Sequence, residues 1–275
     1  MGRKDLRDYF FSIDDLFCKD SALISPQLAK ILTHDIQSYV DEYLIYGGYP
    51  GVALNDDAIV KKRRIGAIFN DYVRKDLGTL FSVEHLNEFT RLVKLLAART
   101  GGLLTYSHLA VALGLNHRTI GRYLDILEAT FISTRLFPYR TNIKKRLVKA
   151  PKIYFYDNGL RNMVLGNFTP FYNRTDQGAL TENMVFQYLI GKMQVPETFD
   201  LSFWKTSAGG EVDFIYNNIL IEVKSGGFAG NPPRAILSCM TDTGIKKALI
   251  LNKNRVEHLI SGDREIIFFP YGLLK

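Results

Sequence analysis

Gly210-Glu211-Val212-Asp213-Phe214-Ile215-Tyr216-Asn217-Asn218-Ile219-Leu220-Ile221-Glu222-Val223-Lys224 is the stretch on which the fold of the C-terminal part turns. Two β-rich runs flank Asn217-Asn218, a dipeptide that tolerates the positive φ angles of a two-residue hairpin turn. Counting outward from the turn sets the register. With Tyr216 opposite Ile219, Asp213 stands opposite Glu222 and Glu211 opposite Lys224, all on one face because side chains alternate along a strand. Val212, Phe214, Ile221 and Val223 are then expected to point into the core.

Directly opposed residues have Cβ atoms about 4.5 to 5.5 Å apart, a spacing at which like charges destabilise a sheet. Three carboxylates (Glu211, Asp213, Glu222) against one lysine (Lys224) leave two formal negative charges on the face. A divalent cation balances that surplus, and oxygen ligands suit magnesium or manganese. Asp213 and Glu222 are therefore the expected metal ligands, and Lys224 the group that assists water or steadies charge developing on phosphorus. Glu182 sits near the start of an apolar-periodic helix (Glu182, Val185, Phe186, Leu189), where the positive helix terminus favours its charge, and is expected as a third ligand. The competing reading makes Glu211 and Lys224 a surface ion pair and Glu182 a cap. Strands that are apolar on nearly all positions of both faces argue instead for burial.

Working upstream, Leu92 to Ala98, Tyr106 to Leu113 and His117 to Ala129 have helical periodicity. Thr105 or Ser107 is the expected cap of the second helix and Gly114 its terminator. The third is amphipathic, with Ile120, Leu124 and Leu127 inward and Arg118, Arg122 and Asp125 outward. This is helix-turn-helix spacing. Phe131 to Phe137 and Lys152 to Tyr156 then read as strands joined by a basic loop through Arg140, Lys144, Lys145 and Arg146, which makes a wing. In DNA-binding winged helices the third helix enters the major groove and the wing meets backbone. Asn116, His117, Arg118 and Arg122 are the candidate base contacts here, and Arg140, Lys144, Lys145 and Arg146 the candidate phosphate contacts, with double-stranded DNA as the expected partner. Many winged helices bind only protein, so that alternative stands beside it.

From Leu6 to about Leu80 the pattern is helical, broken by Gly47-Gly48-Tyr49-Pro50-Gly51, which reads as a tight turn. Neither the lysine nor the Ser/Thr of a P-loop follows those glycines, so ATP hydrolysis by this chain alone is not expected. Asp157-Asn158-Gly159 reads as a turn with glycine in a left-handed position.

Composition agrees with several domains. The 275 residues, 47% of them hydrophobic, suffice for more than one core. The net charge of +7 is uneven: Val60 to Asn162 hold 19 Lys or Arg against 7 Asp or Glu, and the rest 16 against 21. That central surplus attracts phosphate backbones, although a solvated surface can carry it with no partner. No apolar run reaches the roughly 18 to 20 residues that span a bilayer, and the first residues lack a signal-peptide core, so a cytoplasmic location is expected. Cys18 and Cys239 have no companions at ligand spacing and are read as buried small hydrophobes.

Several of these segments together resemble a known family. Thr181-Glu182-Asn183-Met184-Val185, Phe203-Trp204-Lys205, Gly210-Glu211-Val212-Asp213-Phe214 and Ile221-Glu222-Val223-Lys224-Ser225-Gly226 look like the nuclease-like domain that ends many prokaryotic AAA-type ATPases. Tyr43 to Pro50 (YLIYGGYP), Asp71 to Asp76 (DYVRKD) and Tyr156 to Leu160 (YDNGL) resemble the segments that follow the ATPase core and surround its winged helix. The resemblance implies an α+β multidomain chain. Residues 1–85 would be a helical segment like an ATPase lid remnant, 86–160 a winged helix-turn-helix, and 161–275 a PD-(D/E)xK nuclease-like α/β domain with a central mixed sheet. It further implies possible metal-dependent phosphodiester hydrolysis through Glu182, Asp213, Glu222 and Lys224, with ATP entering only if a P-loop domain is supplied elsewhere. The alternative is a non-catalytic DNA- or protein-binding module of an ATPase.

Overall fold

Ala248-Leu249-Ile250-Leu251 and Ile267-Phe268-Phe269 are apolar runs without alternation, the signature of strands covered on both faces. They become the centre of a six-stranded mixed sheet. Its strands are β3 (Leu201–Lys205), β4 (Glu211–Tyr216), β5 (Ile219–Val223), β6 (Lys247–Asn252), β7 (Glu257–Ser261) and β8 (Arg264–Pro270), in the spatial order β3-β4-β5-β6-β8-β7. The computed structural model describes residues 10–18, 24–72, 86–139, 149–193 and 201–275, and shows an α+β protein. The chain divides into two compact units, Met1–Val40 with Glu197–Lys275 and Asp41–Pro196.

In the sheet unit β3, β4 and β5 run antiparallel, whereas β5, β6 and β8 are parallel and β7 returns antiparallel to β8. Parallel neighbours need a crossover, and here α10 (Arg234–Thr243) supplies it between β5 and β6, packing on β4 and β5. The β4–β5 hairpin has the expected register, with Phe214 opposite Ile221 and Tyr216 opposite Ile219. Asn217 and Asn218 take φ values of 46° and 61°, as a two-residue turn of this kind requires. The short helix α1 (Ile13–Leu16) begins at Ser12, whose hydroxyl caps it by accepting from Asp15 N at 3.1 Å. Just before it, the backbone of Phe11 joins that of the last residues, its N–H donating to Leu273 O at 2.9 Å while Lys275 N donates to Phe11 O at 3.0 Å. Cys239 is buried, and burial raises its thiol to about 12. Cys18 departs from expectation by being exposed.

The helical unit is built on α5 (Leu86–Ala98), α6 (Tyr106–Leu113) and α7 (His117–Ala129). Gly114 closes α6 in the left-handed region at φ 66°, and Asn116 caps α7 by accepting from Thr119 N at 2.8 Å. Phe89, Leu92, Val93, Leu96, Ile120, Tyr123, Leu124 and Leu127 form the shared core. Behind it, β1 (Ser133–Leu136) and β2 (Lys152–Phe155) pair antiparallel, and residues 101–104 add backbone hydrogen bonds to β2.

The remaining helices of this unit are joined through buried polar groups. The helix α2 (Pro26–Tyr46), which belongs to this unit from Asp41 onward, ends at Gly47, whose φ of +75° suits glycine; α3 (Pro50–Ala53) and α4 (Ala58–Asp71) follow, and α8 (Asn158–Leu165) starts from the cap Asp157. The Asp157 carboxylate accepts from Gly48 N and Leu160 N, both at 2.8 Å. Burial pushes its pKa up, against the pull of those donors. Gly159 corrects the sequence expectation: it is helical, and its glycine is required because a Cβ there would lie 2.0 Å from Tyr46 O. Arg161 and Arg174, both buried, share Asp176 (2.5 and 2.8 Å), and Asn162 donates to Leu44 O and Ile45 O. Burial works to raise the Asp176 carboxyl, but its two arginine partners outweigh that and hold it well below the ordinary carboxylate range. Helix α9 (Gln177–Lys192) packs on β2, where Asn183 accepts from Phe155 N at 2.8 Å and donates to Phe155 O at 3.0 Å.

Candidate functional site

The acidic end of the β4–β5 hairpin arises because the ladder stops one step short of it. Phe214 and Ile221 are the last paired residues, and beyond them the Asp213 side chain takes over, its Oδ2 accepting from Val223 N at 2.8 Å. Glu222 follows on β5, where its neighbours Leu220 and Ile221 are fully buried. It is itself only 7% exposed, and its Oε2 is sealed from solvent. Lys224 Nζ donates to Glu222 Oε1 at 2.6 Å, a charge-assisted bond within one strand end. Lys224 N donates to Leu251 O at 2.8 Å, which fixes this end of β5 against β6. Asp213, Glu222 and Lys224 are thus gathered at the carboxyl end of β5, the end at which open α/β sheets place ligands.

Two expectations change here. Glu211 is Cα partner to Lys205 on β3 and forms an ion pair with that residue. Lys205 therefore joins the charge count, and three carboxylates face two lysines. The second change concerns Glu182. It lies in the second turn of α9, beyond the first-turn reach of the helix dipole, and its charge is met instead by Lys152 and Tyr154. Lys152 Nζ donates to Glu182 Oε1 at 3.0 Å and the Tyr154 hydroxyl donates to the same oxygen at 2.5 Å. Lys152 and Tyr154 are buried, and Gly101, with φ +77°, abuts the carboxylate so closely that a Cβ would come within 3.1 Å of Oε2. Glu182 belongs to the helical unit, whereas Asp213, Glu222 and Lys224 belong to the sheet unit. Among the described residues no three His, Cys, Asp or Glu side chains are grouped closely enough to hold a metal ion.

The candidate DNA contacts divide as follows. His117, Arg118 and Arg122 are exposed along α7, while Asn116 uses its side-chain oxygen as the helix cap. Arg140, Lys144, Lys145 and Arg146 lie outside the described residues. Asp125, the outward acid of α7, holds Arg135 of β1 at 2.6 Å. Sequence reasoning missed Lys152, Tyr154 and Lys205. Only Lys205 left a signal, since it closes the Phe203-Trp204-Lys205 strand directly before the acidic run. Trp204 is buried and donates from Nε1 to Asp242 Oδ2 at 2.7 Å. No helix among the described residues is long and apolar enough to cross a membrane.

Comparison with known proteins adds two family matches and several relatives. A domain of unknown function (DUF8612) matches residues 37–170, and a second domain of unknown function (DUF4143) matches residues 177–271. An uncharacterized protein of Methanocaldococcus jannaschii is 25% identical over 250 residues, which is 88% of this chain and 50% of the relative. An uncharacterized protein of Haemophilus influenzae is 29% identical over 161 residues, 56% of this chain and 38% of the relative. One from Mycobacterium tuberculosis is 27% identical over 193 residues, 68% of this chain and 42% of the relative. No solved structure matches the chain. The aligned region thus spans half or less of each of these relatives, and the chain carries two adjacent segments similar to domains of unknown function, 37–170 and 177–271.

Proposed function

We propose that the sheet unit is a PD-(D/E)xK-type nuclease domain that cleaves phosphodiester bonds in DNA with a divalent cation, and that α5 to α7 with the β1–β2 ribbon form a winged helix that seats on the duplex. The observation that carries the reading is the end of the hairpin: Asp213 and Glu222 lie just past the last β4–β5 pair, Glu222 still held in register with Ile250 of β6, with Lys224 Nζ 2.6 Å from Glu222. Two carboxylates fit magnesium, which characteristically takes one or two carboxylates and completes its shell with water and substrate phosphate oxygens. When bound, the cation supplies Lewis-acid activation of water and of the phosphoryl group. Asp213 and Glu222 would hold it. Lys224 would give up its bond to Glu222 and turn its ammonium toward the developing phosphoryl charge.

We expect Asp213→Asn to abolish magnesium and manganese binding in calorimetry and to stop cleavage of duplex DNA. Unchanged metal affinity would sink the metal site. On the helical side, Arg118→Ala with Arg122→Ala is expected to weaken duplex binding and to lower the slope of log affinity against log salt by about 2, one unit for each phosphate no longer neutralised. Equal affinity in variant and parent would move this surface to protein contact.

A second reading is favoured by the ion pairs. Lys205 with Glu211 and Lys224 with Glu222 already compensate two carboxylates. Such a face suits a binding module, here the non-catalytic DNA- or protein-recognition half of a P-loop ATPase, the association that the motif resemblance suggests. Metal binding without cleavage of any duplex substrate supports this second reading over the first.

A further inference from the structure

A groove of about 260 Å³ opens in the sheet unit between the first half of α2 and the residues that follow β6, lined by Lys30, Thr33, His34, Gln37, Lys253 and Asn254. Two of its six lining side chains are lysines, one is a histidine, and none is acidic. Thr33 turns its hydroxyl back onto Ala29 O at 2.8 Å, so its helix face stays closed, while Lys30, His34, Lys253 and Asn254 are exposed. Asn252 fixes the loop beneath: its Oδ1 accepts from Asn254 N and Arg255 N at 3.0 and 2.6 Å. The basic groups on that side therefore project from a set backbone, a prerequisite for orienting a ligand rather than merely attracting one.

The groove is joined to the acidic hairpin end by backbone. Lys253 N donates to Gly226 O at 3.1 Å, two residues past Lys224, and Tyr271 OH donates to Ser225 O at 3.0 Å, pinning the segment between them. Two residues of chain at about 3.3 Å each, plus that hydrogen bond, put the groove's edge on the order of 10 Å from Lys224. Phosphates along one strand of B-DNA rise about 3.4 Å along the axis but, because the backbone winds around it, lie roughly twice that far apart, so a strand whose scissile phosphate is at Asp213 and Glu222 would lay a phosphate one to two steps away at the groove.

We propose that this groove is a phosphodiester-backbone site, in which Lys30, His34 and Lys253 hold a phosphate of the strand being presented to Asp213, Glu222 and Lys224. It rests on the nuclease reading for the direction of the strand but not for the binding itself. The groove wall is mainly apolar, made by side-chain stems, and the groups available to a phosphate are the point charges of two lysines with hydrogen-bond donors from His34 and Asn254. No metal is required.

The test is duplex binding by the full chain in the presence of EDTA, in the Arg118→Ala/Arg122→Ala background so that the two arginines of α7 make no contribution. A short fluorescent duplex is the probe. Adding Lys30→Ala and Lys253→Ala is expected to weaken the remaining affinity roughly tenfold and to lower the salt slope by about 2, and Lys30→Arg with Lys253→Arg to retain both. Lys246→Ala, which removes a surface lysine paired with Asp263 at 2.9 Å, is the charge control and should leave both unchanged. Undiminished binding after loss of Lys30 and Lys253, an equal loss with Lys246→Ala, or no duplex binding at all in that background each overturns the groove site. Because Asp213→Asn leaves the groove intact, failure of metal chemistry with retained EDTA-resistant binding would count against the nuclease reading alone.

Discussion

Replacing Gly159 by alanine is expected to destabilise the helical unit by about 3 kcal/mol, the upper part of the range for overpacking a closed interior. The added Cβ would sit 2.0 Å from Tyr46 O and 3.0 Å from Asp157 Oδ1. Neither neighbour can withdraw cheaply. Tyr46 O is backbone at the end of a 21-residue helix, and the Asp157 carboxylate is held by Gly48 N and Leu160 N. The measurement is urea unfolding followed by far-ultraviolet circular dichroism. Gly178→Ala makes the contrast, since α9 has open space at that position and alanine is the better helix former there by up to about 1 kcal/mol. Equal midpoints for the two variants would refute the close-approach argument.

The second large effect is expected at Lys152. Changing it to methionine leaves the Glu182 carboxylate, 17% exposed, with the Tyr154 hydroxyl but without its cation. Removing one partner of a buried pair characteristically costs about 3 to 5 kcal/mol, because the other charge stays behind without its solvent. Lys152→Met with Glu182→Gln keeps an acceptor for Tyr154 and carries no stranded charge, so the double variant should recover most of the loss. A double variant as unstable as the single one would show that packing of the lysine stem, and not its charge, matters.

How far the sequence could be read follows from how local each determinant is. Gly114 and Asn116 mark the end of α6 and the start of α7 within four residues of chain, and both helices have the expected bounds. Asn217-Asn218 sets a register through backbone φ alone, so the pairs from Tyr216–Ile219 to Phe214–Ile221 could be placed by counting. Glu211 could not, because its partner depends on how β3 aligns with β4, and a register shift between Ser202 and Trp204 intervenes. The role of Gly159 was hidden for a similar reason: what it must avoid is Tyr46 O, far away in sequence. Asn162, Arg161, Arg174 and Asn183 are residue types ordinarily found at the surface, and nothing in a periodicity marks them as interior. Lys152 and Tyr154 lie in a β-rich run whose lysine and hydroxyl gave no hint of the helix carboxylate they would meet.

The clasp between Phe11 and residues 273–275 has a bearing on biosynthesis. Residues 41–196 lie between the two stretches that make up the sheet unit, so a growing chain can complete its helices while the early segment still waits for its partner. Closing so long a loop has a logarithmic entropic cost that a prefolded intervening domain changes by fixing the distance its ends must cover. On the ribosome the sheet unit is therefore expected to close last, when residues 273–275 become available to Phe11.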